Sequence, residues 1–115
     1  MTYSYEGIGQ VVAAFRVEEP VAEGQMVTVL AMETVGACTS GQDFCGQIQA
    51  VSRDGKSCAV ALRGMVTVHY TGVTPSLGWC QMASDGDGGV LYKSGARAYL
   101  VVDVDSDART VTFML

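Results

Sequence analysis

Apolar and polar residues alternate most cleanly over Ser57–Tyr70, SCAVALRGMVTVHY. Cys58, Val60, Leu62, Val66, Val68 and Tyr70 share one parity, and Ser57, Arg63, Thr67 and His69 share the other. A period of two marks a β-strand with one buried face. Fourteen residues in one straight strand would span roughly 45 Å at about 3.3 Å per residue. That is too long for a small domain, and Gly64 interrupts the run on its apolar parity. Glycine inside a strand pattern marks a bend, a bulge or a barrel corner, so Gly64 is read as the point where the chain leaves one sheet for another. The simpler alternative is a glycine that only weakens a straight strand.

The rest of the chain carries the same period in shorter pieces. Val11–Val17 alternates and stops at Glu18-Glu19-Pro20, since proline cannot donate to a ladder. Met26–Met32 is apolar on both parities apart from Thr28, which predicts a strand that is central or covered on both sides. Thr34–Cys38 is a short strand, and Gln47–Ser52 alternates after Gly46. Arg53-Asp54-Gly55-Lys56 supplies the positive-φ turn of a hairpin and pairs Gly46–Ser52 with Ser57–Arg63. Further strands are expected at Trp79–Ala83, Val90–Lys93, Arg97–Val104 and Arg109–Leu115. In Arg97–Val104, the residues Leu100, Val102 and Val104 are expected to face inward, with Asp103 on the side of Tyr99 and Val101. Ending on strand residues, the chain is expected to have Leu115 tied into a sheet. No segment combines a helical period with caps. Eight to ten short strands with glycine-rich turns predict an all-β fold, a small antiparallel β-barrel or sandwich. Residues 1–10 read as an N-terminal arm and 11–115 as one domain, with no exact internal repeat.

Composition narrows the function. The 115 residues are 49% hydrophobic and only 17% charged, which leaves apolar surface to be buried between subunits, and a homo-oligomer is expected. The net charge of −5, with Arg16, Arg53, Lys56, Arg63, Lys93, Arg97 and Arg109 scattered, argues against direct nucleic-acid or anionic-membrane binding. No leader pattern or apolar membrane span is visible, so a protein made and kept in a cytoplasm is expected. Cys38, Cys45, Cys58 and Cys80 form no CxxC pair, and all four are read as reduced and mostly buried.

Asp85-Gly86-Asp87-Gly88-Gly89 resembles half a calcium loop, but the twelfth position is Ala96 and not Glu. Asp105 and Asp107 are the contents expected of a hairpin loop, and nothing buries them or Asp103 as paired carboxylates for acid–base work would require. His69, the single histidine, lies on the parity opposite Cys58, which leaves Cys45 and Cys80 open as partners. Tyr70, Trp79, Tyr92 and Tyr99 could stack a ligand. No catalytic, cofactor-binding or metal-ligating residue is assigned and no cofactor is expected. The chain is read as a non-enzyme.

Several segments carry a resemblance. VAEGQMVTVL (21–30), TVGACTSGQDFCGQI (34–48) and the strand–glycine–strand AVALRGMVTV (59–68) come first. The loop VTPSLGW (73–79), DGDGG (85–89) and the closing AYLVVDVDSDARTVTFML (98–115) follow. Together they are similar to small bacteriophage capsid decoration proteins of the prophage-encoded type. The resemblance rests on glycine placement and alternation, and the cysteines lie outside it. It implies a β-barrel or sandwich subunit, trimeric, bound to the major capsid protein on the outside of a phage head. The alternative is a small β-barrel binding module that uses an aromatic surface around Trp79.

Overall fold

The computed structural model describes residues 10–115, so the expected arm at 1–10 lies, Gln10 apart, outside the described residues. Ten strands follow one another: β1 (Val11–Val17), β2 (Met26–Ala31), β3 (Thr34–Ala37), β4 (Gly46–Val51), β5 (Ser57–Arg63), β6 (Met65–Thr71), β7 (Gly78–Ser84), β8 (Val90–Tyr92), β9 (Ala98–Asp105) and β10 (Thr110–Met114). The all-β class is as the alternation predicts. The strands divide into two closed five-stranded barrels, with β1–β5 in one and β6–β10 in the other. Among the described residues, no helix is long and apolar enough to cross a membrane.

Gly64 is the corner. It stands between β5 of the first barrel and β6 of the second, at φ +115°, a conformation that strains any residue with a Cβ. A Cβ there would also lie 2.9 Å from the Gln10 Cα. The last residue closes the same junction, where the Leu115 N–H donates to the Gly64 carbonyl at 2.9 Å.

The barrels repeat one topology. The first closes in the order β1-β3-β2-β4-β5, with β5 back on β1, and the second in the order β6-β8-β7-β9-β10, with β10 back on β6. The lone parallel pair in each is equivalent, β1 with β3 and β6 with β8. Each carries a register shift at the same place, between Ile48 and Ala50 on β4 and opposite Thr112/Phe113 on β9. The chain is therefore an internal duplication in structure. It was invisible in the sequence because most paired positions differ in residue type, as at Val60 and Phe113 or Gln47 and Leu100.

Two cores result. Val17, Val27, Val35, Ile48, Cys58 and Val60 fill the first barrel. The second contains Val66, Val68, Tyr70, Cys80, Met82, Val90, Tyr99, Val101, Val111 and Phe113, joined by Met26, Cys38, Phe44 and Ala61 from the first. Phe44 leaves the β3–β4 loop and stacks on Tyr99 at 5.0 Å between ring centroids, with Phe113 at 6.0 Å. Buried Gln47 sews the seam, its Nε2 donating to the Gly24 carbonyl at 3.1 Å and the Thr67 carbonyl at 2.9 Å. Gln47→Leu removes the donor from both carbonyls and is expected to cost about 1–3 kcal/mol, read by urea unfolding. A loss below about 0.5 kcal/mol would show that the seam does not depend on this amide.

Two expectations about strand faces are corrected. β2 is covered only at Met26 and Val27, and Val29, Leu30 and Met32 are exposed. It pairs with β4 at those two positions alone, so its far half is held by β3 only. On β9 the inward residues are Tyr99 and Val101, while Leu100 and Val102 are half-buried outside the core clusters. The register shift makes Val102 the extra residue of a bulge, and it returns Val104 to the core side and leaves Asp103 exposed.

Candidate functional site, an exposed apolar row

The register builds a row across the outer face of the second barrel. Trp79 on β7 pairs with Leu100 on β9, Leu100 with Met114 on β10, and Met114 with Met65 on β6. All four are apolar, and Trp79 is 73% exposed while the other three are half-buried. Exposed Leu77 and Val73 in the β6–β7 loop extend it. An uncharged apolar band on a solvent face is the kind of surface that contact sites use. Arg109 braces the loop, its guanidinium 5.0 Å from the centre of the Tyr70 ring and its Nη2 donating to the Gly72 carbonyl at 3.1 Å.

Of the four aromatics picked out as possible stacking groups, Tyr70 and Tyr99 are buried and only Trp79 and Tyr92 reach solvent. The aromatic surface is narrower than their number suggests. Trp79 stood out in sequence, whereas its neighbours did not. Leu100 read as core, and Met65 and Met114 fell on the polar parity.

The other candidates are placed as follows. His69 is exposed on the outer face of β6 opposite Thr110, while Cys80 is buried on the inner side of β7. Asp85 caps its own turn, its Oδ1 accepting from the backbone N–H groups of Asp87 at 2.7 Å and Gly89 at 3.0 Å. Asp105 does the same for Asp107 and Ala108 at 3.0 and 3.1 Å, and Asp107 is exposed within that turn. Among the described residues, no group of three or more His, Cys, Asp or Glu side chains is gathered for a metal ion.

All four cysteines are free thiols, with Cys38, Cys58 and Cys80 buried and Cys45 half-buried. Burial pushes the Cys38 thiol from its ordinary 9.0 up to about 11, against a hydrogen bond from Ser84 and helped by nearby Cys45 and Asp43. Burial also raises the thiols of Cys45 and Cys58 and the Tyr99 hydroxyl. A group whose folded pKa lies above its unfolded one favours folding fully below the unfolded value and ceases to as pH passes the folded value. The melting temperature is therefore expected to hold to pH 9 and fall by roughly 5 °C or more towards pH 11. Cys38→Ala should flatten part of that slope, and an unchanged melt across this window would contradict the assignment.

No protein-family model matches the chain, and no curated protein matches it in sequence.

Proposed function

We propose that this chain is a structural subunit of a bacteriophage virion, a head decoration protein that assembles as a trimer and binds the major capsid protein on the outer shell. The observation that carries the reading is the apolar row that starts at Trp79, displayed on a double barrel whose small complement of charge leaves that band uncharged. A second group of exposed apolar side chains, Val29, Leu30 and Met32, stands on the other barrel. A tile that covers a symmetric shell holds through many modest contacts that add by multivalency, so no single deep site is required. The acidic balance and dispersed cations favour a protein partner over the packaged nucleic acid. The glycine-punctuated strands of the resemblance agree in kind with this reading.

Co-sedimentation tests it. Purified protein is mixed with expanded shells of a phage major capsid protein taken from the same genome, and the pellet is quantified. Saturable binding at a fixed ratio to the capsid subunit, with a raised disruption temperature of the shells, is expected. Protein that stays in the supernatant at saturating shell concentration would overturn the reading.

A further inference from the structure

We infer that the second barrel's outer row is covered, in the assembled protein, by the first barrel of another copy of this chain, repeating between chains the contact that joins the two barrels within one. This rests on the self-association in the reading above and not on shell binding.

The duplication supplies the argument. The row Trp79–Leu100–Met114–Met65 has an equivalent in the first barrel, Met26–Gln47–Ala61–Val12, linked by the same cross-strand pairs. There Met26, Gln47 and Ala61 are buried, while Val12 at the end of the row stays exposed. Met26 and Ala61 are 0% exposed, and both pack into the second barrel's core cluster. The Met26 N–H donates to the Gly88 carbonyl at 2.9 Å, and Gln47 Nε2 reaches the Thr67 carbonyl. Trp79 stands where Met26 stands, and nothing among the described residues covers it.

The receiving surface follows from the same equivalence. Thr67, opposite Thr112, corresponds to Ala14, opposite Ala59. Gly88 lies in the β7–β8 connection, whose counterpart is the Met32-Glu33 turn between β2 and β3. Ala14 and Glu33 line one open cavity of about 370 Å³ together with Phe15, Arg16 and Ser57. This cavity would take a neighbour's indole, and exposed Met32 adds apolar area beside Glu33. The charges are compatible. The arriving row carries none, the cavity holds one residue of each sign, and the Arg16 guanidinium can lie against the Trp79 ring.

Each chain thus offers one row and one cavity, so the contact is head-to-tail, and such contacts close into rings when the rotation allows. A trimer built this way is a ring of six barrels.

Light scattering over a concentration series, with two variants at exposed positions, tests this. Wild type is expected at three times the 12.1 kDa of the chain. Trp79→Ser loses the row and Ala14→Trp fills the cavity, and each alone should weaken association by about tenfold or more. Mixed, they retain one good contact between them, from the row of Ala14→Trp to the cavity of Trp79→Ser, so a heterodimer that grows no further is expected. Circular dichroism melts confirm that both variants fold. A wild type monomeric to about millimolar concentration would overturn the inference, as would a trimer unaffected by Trp79→Ser or a mixture that stays monomeric. Shell binding by a monomeric wild type would overturn it while leaving the capsid reading standing.

Discussion

Phe44→Ala is expected to cost about 3–5 kcal/mol and lower the melting temperature by roughly 15 °C. Phe44 belongs by sequence to the first barrel, yet its ring fills the end of the second against Tyr99 and Phe113. Its loop is fastened there by backbone bonds as well. The Gly41 N–H donates to the Ser84 carbonyl at 2.7 Å and the Ser84 N–H to the Gln42 carbonyl at 2.9 Å, while Lys93 Nζ donates to the Gly41 carbonyl. Removing the ring leaves a void between two faces that cannot close without moving both barrels. Against a total stability on the order of 5–15 kcal/mol, this is the largest single loss anticipated. Urea unfolding should show one transition in the wild type and an earlier one in the variant. A loss below about 1 kcal/mol would mean that the barrels are held by the Gly64 corner and not by this clasp.

Gly64→Val is the second large effect, expected at about 3 kcal/mol. The φ of +115° is closed to a β-branched residue, and its Cβ would press on the backbone of Gln10. Gly64→Ala meets the same positive φ and the same Gln10 backbone and should also destabilise, though less than Val, whose branched Cβ adds two further methyls, and the order Val worse than Ala separates strain at the corner from simple loss of a flexible link. Equal stability of all three proteins by thermal melting would contradict the corner.

Much of this architecture was legible because alternation reports burial. The Asp54-Gly55 hairpin and the strand boundaries could be read directly, and Gly64 could be read as a corner because an uninterrupted strand would have been too long. What stayed hidden was relational. Met26–Ala31 is apolar on both parities, and periodicity cannot say whether an apolar side chain meets core, a second barrel or solvent. In the event Met26 meets the second barrel and Leu30 meets water. On β9 an apolar run of either parity was compatible with the core, and a bulge decided between them. The duplication left too little trace in residue identity to be read, since Met26 and Trp79, or Ala61 and Met114, share only a place in the register. Trp79 could be picked out as a lone tryptophan, but the row it completes required the pairing of four strands.

The central claim is that these surfaces exist to meet other copies and a shell. Electron cryomicroscopy of capsid shells incubated with the protein tests it most directly. The account predicts three-fold density on the outer surface, resolved as six barrel-sized lobes, with Trp79 enclosed between neighbouring chains. Bare shells, or isolated double barrels attached with Trp79 facing solvent, would contradict it.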